Sequence, residues 1–380
     1  MIDQTQFLVR HRARVARVAK ILVISAAISV AYAQQPPRGG APGKKEHNFT
    51  EKTSEAFKNL KTYQDKQDWN GMLALLEAIP LVPGSYDEAF VLDMKAKIYA
   101  TTNQLSKAIG PWEKAVQLSD QHGYFSDKQT LETVSLLAQL FGQEGSMVKI
   151  PAEGQPGRQA AAALQQQHFT KAITYFKRFL DKTPKPTPET MMAYASILYY
   201  KAAADPNKVD QAVLKEARDI VEKGLMSSVK PREGFYQLLL TLQQQQNDLA
   251  GSAEIMELLL KQSPTKKDYW QLLMASYLQL SEKAREKNQA DASREFLVRA
   301  IVTCERAQAL GHLQTPKDNM NLVSLYLMAG QFTKGTELLY NGMKSSKIES
   351  EPNNWRVLGR YYLEGDQPQD DLHRAPGVHR

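Results

Sequence analysis

Seven histidines, one cysteine and a few paired carboxylates are the residues through which this chain could do chemistry. His11, His47, His122, His168, His312, His373 and His379 stand apart from one another. None forms the His-x3-His or His-Glu-x2-His spacing that places two ligands for zinc on one helical face. No Gly-x4-Gly-Lys-Ser/Thr segment offers backbone N–H groups to a phosphate, and no Gly-x-Ser-x-Gly elbow presents a nucleophile. Asp370-Asp371 is a carboxylate pair in a stretch without apolar period, which reads as solvated charge rather than acid–base machinery. Cys304 is the single cysteine, so neither an intramolecular disulfide nor a cysteine metal site can form. It lies in Ala300-Ile301-Val302-Thr303-Cys304, a buried-helix pattern in which a small core thiol is expected over a reactive one. The expectation from these residues is a non-enzymatic protein with no catalytic group, metal or cofactor.

The elements that position the remaining polar residues are helices. At 42% hydrophobic and 23% charged, the composition is that of a folded chain. Five of the 48 basic residues (Arg10, Arg12, Arg14, Arg17, Lys20) and one of the 41 acidic ones (Asp3) fall in the first 33, leaving +3 of the net +7 on the rest. That is no footprint for nucleic acid. The basic residues precede the apolar run Ile21 to Val30, then Ala31-Tyr32-Ala33, the small-x-small cleavage site of a signal peptide over 1–33. The run is shorter than the roughly 20 residues needed to span a bilayer, so cleavage after Ala33 and no stable membrane span are expected, with an uncleaved anchor as the alternative. No cysteine follows it and no adjacent arginine pair precedes it, which leaves neither a lipoprotein nor a twin-arginine signal. The signal looks bacterial and implies the periplasm. Residues 34–48, rich in Pro, Gly and Gln, read as a flexible leader.

From Phe49 a helical period takes over, and no alternating strand pattern appears. Helix pairs are expected at 51–67 with 69–79, 87–102 with 105–119, 189–204 with 209–226, 317–328 with 332–343, and a fifth and sixth pair around Tyr236 and Trp270. In the third pair a helix at 128–141 is followed by residues 142–157, whose four glycines and two prolines read as a loop. A short Ala-rich helix from Arg158 then leads into 168–182. Residues 282–291 lengthen the sixth pair, read as helix extension past the usual turn. Asp205-Pro206-Asn207 reads as a turn. The eighth unit has one helix, 353–363, and the tail at 366–380 has no apolar period. Three readings of that end stay open: a short cap, an open partner face, or a sequence truncated or frame-shifted near Asp366.

Two stretches define the packing. Ala96 and Tyr99, then Ala108, Trp112 and Ala115, place small, aromatic and small residues where antiparallel helices approach closely; Ala172, Phe176, Phe179 and Pro184 repeat the offsets. Trp355-x2-Leu358-Gly359-x2-Tyr362 supplies the matching first-helix pattern, and Tyr236 and Trp270 stand 34 residues apart. By this spacing Tyr99, Trp112, Tyr175, Phe176, Tyr199, Tyr236, Trp270, Tyr277, Tyr326, Trp355 and Tyr362 are core. The fold expected over 49–365 is an all-α solenoid, a superhelix of about seven antiparallel helix pairs plus a lone helix, with the first helices lining its concave face. Residues flanking the packing positions on those helices then form the candidate partner-binding set: Asp93, Lys97, Gln237, Thr241, Gln244, Gln271, Gln279, Ser324, Arg356 and Arg360. Its amides both donate and accept, which suits an extended peptide backbone. The alternative is that these side chains simply face water.

The pattern W-x2-L-G-x2-Y followed by Ala, aromatic, Ala and Pro resembles the tetratricopeptide repeat (TPR). More narrowly, Tyr86 to Val91, Lys267 to Leu273, Ala309 to Thr315, Asp318 to Gly330 and Asn354 to Gly359 resemble exported TPR proteins associated with TonB systems of Gram-negative bacteria. Those proteins continue with further repeats past the Trp355 helix. The resemblance implies a right-handed superhelix and a periplasmic adaptor scaffold whose partners are protein segments or helices, among them TonB or ExbB/ExbD-like components or an outer-membrane receptor. A TPR subunit of a cell-envelope assembly or polysaccharide-export complex that positions an enzyme is the alternative.

Overall fold

A computed structural model describes residues 47–205 and 208–364. The signal peptide expected over 1–33, the expected leader as far as Glu46, Pro206 and Asn207 of the expected turn, and residues 365–380 lie outside the described residues. All regular structure among the described residues is α-helix. The helices fall in two compact units, Met1–Lys230 and Pro231–Arg380. The first holds α1 (Glu51–Asp65), α2 (Trp69–Glu77), α3 (Tyr86–Thr101), α4 (Leu105–His122), α5 (Asp127–Met147), α6 (Arg158–Asp181), α7 (Pro188–Ala202) and α8 (Gln211–Met226). The second holds α9 (Glu233–Gln245), α10 (Leu249–Gln262), α11 (Lys267–Glu286), α12 (Ala290–Ala309), α13 (Pro316–Met328), α14 (Phe332–Lys344) and α15 (Pro352–Glu364). Within each unit a helix packs chiefly on the one before it and the one after it, a TPR-like array of helix pairs.

One three-residue turn builds five of the pairs. Its middle residue is left-handed: Gln67, Asn103, Asn247, Asn288 and Gly330 have φ of 54°, 58°, 57°, 58° and 72°. The next residue's N–H then reaches back five positions, as from Asp68 to Tyr63 O (2.8 Å), Gln104 to Tyr99 O (2.7 Å) and Asp248 to Gln243 O (2.8 Å). This is the Schellman closure, which satisfies carbonyls that a helix end would otherwise leave open. Asp68 and Asp248 go on to cap the following helix, accepting from Gly71 N and Gly251 N. The turn thus ends one helix and starts the next, and it fixes their antiparallel approach.

The packing offsets hold. Ala96, Ala108 and Ala172 are fully buried, Ala115 and Trp112 are 1% exposed, and Phe176 fills the corresponding place in α6. Leu60, Met72, Leu76 and Ile79 of the first pair share one core with Val91, Met94 and Ile98 of α3. Each fully buried side chain of this size stabilises by about 1.5–3 kcal/mol, so the first pair depends on its neighbour for much of its stability. Tyr199, Trp270, Tyr277 and Tyr326 are buried as expected. Tyr99, Tyr175, Tyr236, Trp355 and Tyr362 are only half-buried. Cys304 is 1% exposed, and burial, then the charges of Asp318 and Glu305, push its thiol up to about 11. The sixth pair is lengthened as helix, with α11 and α12 each of 20 residues.

The third pair departs from expectation. α5 continues past Phe141 to Met147, so the loop shrinks to 148–157, and α6 is one continuous helix from Arg158. Gly142 and Gly145 are buried contact points rather than turn residues. A Cβ on Gly142 would stand 2.3 Å from Ile197 Cδ1, and one on Gly145 2.8 Å from the Phe169 ring. Glycine in a helix interior costs about 1 kcal/mol relative to alanine, so helix propensity alone says that Gly145→Ala stabilises. Overpacking costs about 1–3 kcal/mol. We expect packing to win: Gly145→Ala lowers the melting temperature in a thermal scan, and a rise would show that α5 and α6 have slack at this point.

Candidate protein-binding face

In the first unit the candidate residues lie on α3. Tyr86, Phe90, Asp93 and Lys97, spaced by four, three and four, share one helical face. Asp93 is 8% exposed. It accepts from Trp112 Nε1 at 3.1 Å and pairs with Lys97 Nζ at 2.6 Å. Its carboxylate therefore serves the interior: it satisfies the one polar atom of the tryptophan that fills the α3–α4 interface. Only Lys97, with 38% of its side chain exposed, remains open to a partner.

In the second unit two further candidates turn inward. Thr241 is 4% exposed and donates to Gln237 O at 2.8 Å. Gln237 is half-buried, and its amide donates to Glu233 Oε1 (2.8 Å) and Tyr269 Oη (2.9 Å). Ser324 is half-buried and donates to Met320 O at 3.0 Å. Gln244, Gln271 and Gln279 are half-buried on α9 and α11, while Arg356 and Arg360 are exposed one turn apart on α15. The Gln243–Gln246 run straddles the end of α9: Gln243 is 4% exposed with a buried side-chain oxygen that has no partner, and Gln246 caps the helix.

Sequence reasoning missed the polar joints between neighbouring pairs. Glu233 on α9 accepts from Lys266 Nζ and from Tyr269 Oη (2.8 Å), joining α9 to the start of α11. Burial alone would raise the Glu233 carboxyl, but the hydrogen bonds from Lys266, Tyr269 and Gln237 and the lysine charge outweigh it and hold it below the ordinary carboxylate value. In the first unit Glu113 on α4 takes Lys171 Nζ (3.0 Å) and Tyr175 Oη (2.9 Å) of α6, and Asp120 takes both guanidinium arms of Arg178. Burial, then the bond to Glu113, push the Tyr175 phenol well above its ordinary value. The carboxylate stands 33 and 36 residues from its Lys and Tyr at Glu233 but 58 and 62 from them at Glu113, so no one spacing marks these joints until the pairs are stacked.

Also missed was an aromatic cluster at the start of the described chain. Phe49 stacks on Tyr86 (4.9 Å between centroids) and meets Phe57 (5.0 Å) and Phe90 (4.9 Å) edge-on. His47 stacks on Tyr86 (5.4 Å) and meets Tyr124 at 4.8 Å. Beneath them Asp87, 4% exposed, accepts from Thr50 N, Thr50 Oγ1 and Thr53 Oγ1 at 3.2, 2.6 and 2.7 Å. Among the described residues no three His, Cys, Asp or Glu side chains gather as a metal site, and no helix is long and apolar enough to cross a membrane.

No protein-family model matches the chain, and no curated protein matches it. Among solved structures it is similar to a tetratricopeptide repeat protein from Parabacteroides merdae, at 12% identity over 82% of this chain and 99% of that one, with a TM-score of 0.35. It is also similar to the human IFIT1 dimer with m7Gppp-AAAA, at 12% identity over 85% and 80% of the two chains and a TM-score of 0.28. A third is Naa15/Naa10 bound to HypK, at 13% identity over 87% of this chain but 63% of that one, with a TM-score of 0.25. The TPR-like assignment rests on this chain's own helix pairing and packing offsets.

Two substitutions separate interior from surface roles. Asp93→Ala leaves the Trp112 N–H buried without an acceptor, a loss of about 1–3 kcal/mol in urea unfolding, and Asp93→Asn restores most of it. Glu233→Gln tests a group whose carboxyl is held low, so its contribution is present above the unfolded value of about 4.3 and fades as pH falls through the folded value. The variant is expected to melt below the unmutated chain at pH 7, with the gap closing below about pH 4.

Proposed function

We propose that the chain is a non-enzymatic scaffold that binds protein segments along its first helices, and that it works in the periplasm as an adaptor of a TonB-dependent transport system. The observation that supports the scaffold reading is the division of labour on those helices. A rigid layer of buried Ala, Leu and aromatic side chains holds amides and guanidinium groups that stay partly open, such as Gln271, Gln279, Arg356 and Arg360. A preformed face of this kind binds by many modest contacts and spends little ordering entropy on association. The adaptor reading rests on the signal-like segment at 1–33 and on the resemblance of the Tyr86, Lys267, Ala309, Asp318 and Asn354 segments to TonB-associated repeat proteins.

The test is cross-linked capture from a Gram-negative periplasmic extract with the chain beginning at Gln34. Recovery of TonB, ExbB- or ExbD-like components is the expected result, and their absence abandons the adaptor assignment. Arg356→Glu with Arg360→Glu is expected to weaken binding of the captured partner about fivefold with an unchanged melting temperature, as two exposed charges at up to about 1 kcal/mol each allow. Unchanged affinity would remove α15 from the binding face.

A further inference from the structure

The aromatic cluster at the start of the described chain has the form of a docked peptide. Residues 47–49 belong to no helix, and Thr50 after them is extended, with φ −62° and ψ 157°. His47 and Phe49 enter the cluster while Asn48 is exposed. Among the described residues no backbone–backbone hydrogen bond involves His47, Asn48 or Phe49, whereas both rings contact Tyr86. The first fixed backbone group is Thr50 N, which donates to Asp87 and begins α1.

The host side comes from α1, α3 and the segment after α4. Tyr86 and Phe90 stand one turn apart on α3, Phe57 is on α1, and the Tyr124 hydroxyl is tied to Gly84 O at 2.6 Å. All four rings remain half-buried even with His47 and Phe49 in place. Tyr86 and Phe90 share their helical face with Lys97, so the slot lies on the same α3 face as that candidate residue.

We propose that this slot is a docking site for an extended segment of a partner protein carrying aromatic side chains two residues apart, and that residues 47–49 are a tethered stand-in displaced when it binds. The proposal rests on the reading of the first-helix face as partner-binding. Aromatic-x-aromatic is the matching chemistry, because the chain's own occupant meets Tyr86 through two rings on alternate residues. Thr50 stays bonded to Asp87 and acts as the hinge. Tethering raises the effective concentration of the stand-in to about the millimolar range, so a free segment competes poorly until the tethered rings are removed.

The experiment uses the full chain and a fluorescent peptide of sequence Glu-His-Asn-Phe-Thr-Glu-Lys, beside a control with Ala for both rings. His47→Ala with Phe49→Ala is expected to bind the ring-bearing peptide at least tenfold more tightly than the unmutated chain, and to ignore the control. Phe90→Ala in that background is expected to abolish binding. A second readout needs no emptied slot. Asn48→Cys places a dye at an exposed position while Cys304 stays buried, and saturating ring-bearing peptide is expected to lower the dye's anisotropy. No gain in the emptied variant, equal binding of the control, or an unresponsive dye each overturns the proposal. Such a failure leaves the scaffold reading intact, since that reading is tested by capture with the whole chain and by the Arg356 and Arg360 variants of the other unit.

Discussion

The constraint on which this fold depends is that a helix pair buries its apolar flank against its neighbour. Leu60, Leu76 and Ile79 are buried only because Val91, Met94 and Ile98 of the next pair close over them, and Leu339 and Met343 likewise share a core with Leu358 of α15. Stability in such an array is close to a sum of each pair and its nearest-neighbour contact. That arrangement explains why the small residues sit where they do. Ala96, Ala108, Ala115, Ala172 and Ala300 are buried where backbones must come close, and Trp112, Phe176 and Trp270 fill what remains. The ionic joints obey the same rule: Glu113 with Lys171 and Glu233 with Lys266 each link one pair to the next. These carboxylates are part-buried and hydrogen-bonded by tyrosines, which is how such pairs become more than screened surface contacts.

The helix pairs were legible in the sequence because close approach constrains residue size at fixed offsets, and size is visible in a sequence. The end of α5 was not legible, and the reason is chemical. Glycine marks a turn when φ is positive and marks a contact when a neighbour leaves no room for a Cβ. At Gly142 and Gly145 the neighbours are Ile197 and Phe169, more than twenty residues away. Local sequence cannot distinguish the two uses until the partner helix is placed. The hairpin turn was hidden for the opposite reason. Gln67, Asn103, Asn247, Asn288 and Gly330 differ in type yet share one backbone conformation.

The candidate face was half legible. Helical period identifies which residues point away from the pair's own core, and Lys97, Gln271, Gln279, Arg356 and Arg360 are at least partly open as that argument requires. It cannot identify which of them a neighbour has already engaged. Asp93 is committed to Trp112, Thr241 to the carbonyl of Gln237, and the Gln237 amide to Glu233 and Tyr269. Each is a polar group at a helical interface, and burial there is tolerated only with a partner in place.

The outcome of these internal bonds sets the chemistry that is left over. In the second unit Glu233 is occupied by three donors, while the exposed guanidinium groups of Arg356 and Arg360 and the half-open amides of Gln271 and Gln279 are not needed by the fold. What stays open on these helices includes two guanidinium groups and two amides. Glu233, by contrast, has its carboxylate engaged by Lys266, Tyr269 and Gln237 and held below its ordinary value. Packing therefore does more than hold the helices together: it takes the carboxylates of Glu113 and Glu233 into the joints between pairs.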